Sequence, residues 1–221
     1  MRTAIRFPLD GTQISAEVPD AFVNREAISY ITSGQTGPVS LQSSDSPLVE
    51  FATQGWRPSD AASNGGTTIE LLRRADAADA GLIVWTLGAW RTWSEFRTSK
   101  TRSMSSAFST LAAAVKIQPY VDGTPQIRLA PGFTAGNPRD LMLRESVMLR
   151  AVDDAHGAGQ QIWSVGLRLD GAFGRQMRKD NGLAVVVEQP TQHGITVICD
   201  GIRSASAEIE RIAMSVASSL N

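Results

Sequence analysis

TAIRFPLDGTQISAEV, residues 3–18, reads as two alternating strands around a tight turn. Asp10-Gly11 is a preferred two-residue type I′ pair, because both central positions of that turn need positive φ. In that register Leu9 faces Thr12, Phe7 faces Ile14, Ile5 faces Ala16 and Thr3 faces Val18. One side of the hairpin is then apolar, and Arg6, Ser15 and Glu17 lie on the other. A slip of one residue would separate Phe7 from Ile14, so turn chemistry and hydrophobic pattern agree. Pro8 lacks an N–H and marks the first strand as an edge.

The chain closes on a second legible element. After Asp200-Gly201, apolar residues recur at Ala205, Ile209, Ile212, Ala213, Val216 and Leu220, the spacing of one helical face. Ser204 or Ser206 is placed to cap this helix, and Glu208 and Glu210 suit the positive end of its dipole. Runs at 161–169, 183–189 and 195–199 read as strands of an antiparallel meander, and 141–152 reads as a further strand. The spacing of Met104, Phe108, Leu111, Ala112 and Val115 predicts a helix within 103–117. Residues 67–72 (TTIELL) and 81–87 (GLIVWTL) are β-branched and aliphatic enough for central strands. Asp20 could cap a short helix reaching Arg25 or Tyr30, and 32–66 is loop-rich with two short strands near 39–41 and 49–52. The segment 125–138 reads as loop plus one short strand. Taken together these elements predict a single α+β domain over 1–221, an antiparallel sheet meander flanked by helices, with the hairpin and the amphipathic helix at its ends.

Composition narrows the function classes. With 21 Lys+Arg against 22 Asp+Glu the net charge is -1, and the pI is near 6.1. No general field therefore attracts nucleic acid or anionic membrane. The chain has 1 Cys and 2 His, too few for a disulfide or a zinc-finger pattern, so no metal and no cofactor is predicted. The N-terminus lacks a signal-peptide core and no window approaches eighteen apolar residues, so the expected location is the cytoplasm, without a membrane span.

Sequence chemistry is sparse. No phosphate-binding glycine loop and no nucleophile elbow occurs, which predicts a non-enzymatic protein. Asp153, Asp154 and His156 (DDAHGAG) bring two carboxylates and an imidazole together, the basis of an alternative reading as a metal- or small-ligand-binding protein or hydrolase. The same residue types also make an ordinary turn. His193, Cys199 and Asp200 suggest a nucleophile set, but six residues of strand separate His193 from Cys199 by roughly 20 Å. The GxxG and cations of 171–179 fit a solvated loop better than a KH clamp, which joins two helices. The densest aromatic and basic stretch runs from Trp85 through Lys100 to Arg102. Within it Trp90, Arg91, Trp93, Phe96 and Arg97 are the candidate partner-binding residues, since Trp and Arg dominate interface hot spots.

The stretch FPLDGTQISAEVPDAFVN (7–24) resembles the opening of the PsbP-like superfamily, which includes the Ran guanine nucleotide release factors. TTIELL looks like its second central strand, and VGLRLDG with LAVVVEQP (165–190) is similar to its later paired strands. A terminal helix closes both. The resemblance spans about half the chain and leaves 81–140 without a counterpart. It implies an antiparallel sheet flanked by helices and a role in binding another protein, with chaperone or secretion-associated members among bacterial relatives. The acidic segment used by the Ran-binding members has no match, because NREAISYITSG (24–34) holds one acid.

Overall fold

The computed structural model describes residues 2–20, 22–33, 37–45, 51–98, 103–135, 145–151, 162–169, 177–180, 182–191 and 194–220. In chain order the strands begin with β1 (Arg2–Arg6), β2 (Gln13–Glu17), β3 (Phe22–Ser33) and β4 (Gly37–Ser44). A 3-10 turn (Phe51–Gln54) then leads to β5 (Arg57–Asn64), β6 (Thr67–Arg74), β7 (Ala77–Leu87) and β8 (Trp90–Arg97). Helix α1 (Met104–Ala114) precedes β9 (Val115–Pro119), β10 (Pro125–Leu129), β11 (Phe133–Ala135) and β12 (Glu145–Ala151). The chain ends with β13 (Ile162–Leu169), β14 (Met177–Asp180), β15 (Ala184–Pro190), β16 (Ile195–Ile202) and α2 (Ser206–Ser219).

Sixteen strands against two α-helices make the described protein mostly β, which corrects the α+β expectation. Two segments account for much of the change. The helix expected after Asp20 is strand β3, because AISYIT favours the pleated state and buries Ala27, Ser29 and Ile31 at every second position. The stretch expected to be loop-rich contains β4 and β5 in full. Helix α1 stops at Ala114, one residue before Val115, the last member of the apolar spacing. Val115 and Ile117 instead alternate as strand residues and pair with Leu129 and Ile127.

The chain forms two compact units, residues 1–27 with 139–221, and residues 28–138. In the first, the strand order is β14-β15-β16-β13-β12, every neighbouring pair antiparallel. One face of this sheet presents Val147, Leu149, Val165, Leu167, Val185, Val187, Val197 and Cys199 to a single core. Ile209, Ile212, Ala213 and Val216 of α2 close that core, as the helical stripe requires. Ile209, Ile212 and Val216 each contribute roughly 1.5–3 kcal/mol of burial before the entropy of ordering is subtracted. No serine caps α2. A short 3-10 turn (Arg203–Ala205) leads into it and Ala205 takes the cap position without a side-chain hydrogen bond.

The hairpin completes the first core with Ile5, Phe7, Ile14, Ala16 and Val18. Its register differs from the two-residue turn: Ile5 faces Ile14 and Thr3 faces Ala16. The shift is two residues, so every side chain keeps its face. The loop is wider because it closes through Phe7 N–H on Thr12 O at 3.0 Å and Gly11 N–H on Phe7 O at 2.9 Å. Pro8 cannot extend the ladder, and the N–H groups of Leu9 and Asp10 are taken by Glu145. Gly11 supplies the positive φ, at 85°.

The second unit is built on the order β4-β8-β7-β6-β5, also antiparallel. Its two faces differ. On one, Leu41, Ile69, Leu71, Ile83, Trp85 and Trp90 are buried, with α1 and β9 packed against β7. The other carries a smaller core of Trp56, Leu72, Ala80, Leu82 and Val84. Strand β5 is exposed along its whole length and ends the strand order.

Candidate functional site

Strand periodicity sorts the Trp-rich segment. Within β8, Trp90, Thr92, Ser94 and Phe96 share the face that holds α1, while Arg91, Trp93, Glu95 and Arg97 share the opposite one. Trp90 is 6% exposed and Trp85 1%, so both are core residues. Phe96 lies against β7 at Gly81, where an added Cβ would come within 2.6 Å of its Cζ. Arg97 ends the strand in an exposed pair with Asp79 at 3.6 Å. Of the five candidates, only Arg91 lines a surface feature, and Trp93 packs beneath it against the smaller core. Lys100 and Arg102 lie outside the described residues.

That feature is a groove of ≈ 530 Å³ over the second face of β6, β7 and β8. The strand register lays out its floor. Thr68, Thr86 and Arg91 form one cross-strand row, and Glu70, Val84 and Trp93 form the next. Leu72 lies beyond Glu70 on β6. The segment leading into β5 forms a wall, with Phe51, Ala52, Trp56 and Pro58 lining the groove. Phe51 and Trp93 hold the wall to the floor by an edge-to-face contact, centroids 5.5 Å apart at 70°. Trp56 is 4% exposed and carries the Arg74 guanidinium over its ring at 5.7 Å.

Arg74 is itself fixed by Asp76, through Nε to Oδ1 at 2.9 Å and Nη2 to Oδ2 at 2.5 Å. The hydrogen bond from Arg74 holds the Asp76 carboxyl below the usual range, and the reciprocal bond raises Arg74. Both groups are solvent-exposed, so the pair orients Arg74 over Trp56 more than it stabilises the fold.

Other sequence candidates are dispersed. Cys199 is fully buried in the first unit's core, and burial, with Asp200 as a lesser cause, pushes its thiol up to about 12. A thiol so placed is a packing group rather than a nucleophile. Asp200 instead accepts a hydrogen bond from Ser164 on the neighbouring strand. His193, Asp153, Asp154, His156 and residues 171–176 lie outside the described residues. Phe51, Trp56, Pro58 and Glu70 were not singled out by the sequence. The available signal was FATQGW (51–56), two aromatics bracketing a turn directly before a strand.

No protein-family model matches the chain, and no curated protein matches it. Among the described residues, no helix is long and apolar enough to cross a membrane.

Proposed function

We propose that this chain is a non-enzymatic protein-interaction module and that the groove over β6, β7 and β8 is its contact surface. The observation that carries the reading is the groove's composition. An apolar floor at Leu72 and Val84 is walled by Phe51 and Trp56, with Arg91 at one end. Aromatic rings and arginine around an open apolar strip are the residue types that dominate interface energetics. The PsbP-like resemblance of 7–24 and 165–190 supports the same role, since it implies a family that mostly binds other proteins. The absence of phosphate-binding and hydrolase motifs supports the non-enzymatic part of the reading. A cytoplasmic location belongs to it as well, supported by a lone, buried cysteine.

The test compares capture of native partners by the wild-type chain, by Thr86→Trp, which fills the groove, and by Arg211→Trp on exposed α2. The reading expects one or more specific partners retained by wild type and Arg211→Trp and lost with Thr86→Trp. Equal capture by all three would remove the groove from the account.

A further inference from the structure

We propose that the groove receives a Lys or Arg side chain from an extended segment of its protein partner, with Glu70 as the counter-ion. This rests on the groove being the contact surface and adds the chemistry it selects. Glu70 is half-buried on the groove floor. Its cross-strand neighbours are Ala61 on β5 and Val84 on β7, and along its own strand and face stand Thr68 and Leu72. None can neutralise a carboxylate. Among the described residues Glu70 has no hydrogen bond and no ion pair, whereas Arg91 is already partnered. Arg74, the next cation on that face, is bound to Asp76 and stacked on Trp56. Among the residues that line the groove the one charge without a partner is therefore the Glu70 carboxylate, since Arg57 donates to the carbonyls of Ala52 and Trp56 and is not part of the lining, and it stands on apolar ground where a missing counter-ion matters more than in open water.

The surroundings suit a long cationic side chain. Its methylene stem can lie along Val84 and Leu72 while its head reaches Glu70, the division of labour by which Lys and Arg pack on apolar surface. The half-buried ring of Phe51 adds a face attractive to a cation, and the adjoining Trp56 already holds one guanidinium in this way. The groove is open rather than enclosed, and Pro58 of the exposed strand β5 forms part of its wall. An open strip beside an exposed strand accommodates a chain that passes through, so the cation belongs to a peptide and not to a free small molecule.

The experiment is calorimetric titration of the full chain with acetyl-Val-Thr-Lys-Val-Thr-amide, with the same peptide carrying norleucine for lysine, and with n-butylammonium. The lysine peptide should bind at least about tenfold tighter than either, the order expected for one charge-assisted contact. Glu70→Gln, close to isosteric, should erase that preference, Glu70→Asp should restore part of it, and added salt should weaken it. Equal binding of lysine and norleucine peptides would overturn the cation assignment while leaving the groove as a contact surface. Butylammonium binding as tightly as the peptide would replace the peptide by a small cation. No binding of any probe would overturn the inference, and the Thr86→Trp comparison then decides the groove separately.

Discussion

The backbone N–H of Asp10 donates to Oε2 of Glu145 at 2.6 Å, and the N–H of Leu9 donates to Oε1 at 2.7 Å. One fully buried carboxylate at the start of β12 thus closes the N-terminal turn from 135 residues away. A buried charge is tolerated where its lone pairs are met by donors, and removing it leaves both N–H groups unpaired. Glu145→Ala should therefore cost about 2–4 kcal/mol in urea unfolding, at ~1–3 kcal/mol for each orphaned group less partial rescue by water. Glu145→Gln should cost less, because its carbonyl oxygen still accepts one N–H. A loss under about 0.5 kcal/mol for the alanine variant would show that the turn does not depend on this contact.

Side-chain direction in the hairpin and in α2 was legible from the sequence, whereas pairing was not. Ile5, Phe7, Ile14 and Ala16 face the core in either register, since a shift of two preserves the pleat. The loop length depended on Glu145, a partner that no local pattern around Asp10-Gly11 could reveal. The same limit applies to β3, where Asp20 just before the strand reads as a helix cap and pairing with the distant β11 makes it sheet. Strand β5 differs: its Ser, Asp and Asn residues read as loop, yet its partner is the next strand, β6, across the Gly65-Gly66 turn. For the groove, alternation along β8 could have separated Trp93 from Trp90 once that segment was known to be a strand. Its wall from Phe51 to Pro58 follows from tertiary packing alone.

Gly81 marks a close approach in the second unit. A Cβ there would come within 2.6 Å of both Met104 Sδ and Phe96 Cζ. Gly81→Ala should destabilise by about 1–3 kcal/mol, the range for overpacking a tight contact, measured as a shift in the urea midpoint. Pairing it with Met104→Ala should recover part of the loss, because the thioether is then gone. Absence of any coupling in that double-mutant cycle would contradict the packing described here.

Cys199 gives a pH signature. Burial raises its thiol from 9.0 to about 12, so above pH 9 the unfolded chain releases a proton that the folded chain keeps. Stability contributed by this group is intact below the unfolded value and declines as pH rises toward the folded one. Cys199→Ala should flatten the alkaline limb of stability against pH. In the native wild type, a thiol reagent at pH 8 should react only as fast as the protein opens. Immediate stoichiometric labelling would contradict the buried assignment.

The groove is tested most directly by site-specific photocrosslinking in the native cell, with a benzophenone side chain placed at Thr86 on the floor, at Ala61 on β5 beside Glu70, or at Arg211 on α2. The account predicts covalent partner adducts from Thr86 and Ala61, both reduced by Glu70→Gln, and none from Arg211. Adducts formed from Arg211 while Thr86 stays silent would place the contact surface on the first unit and contradict the account.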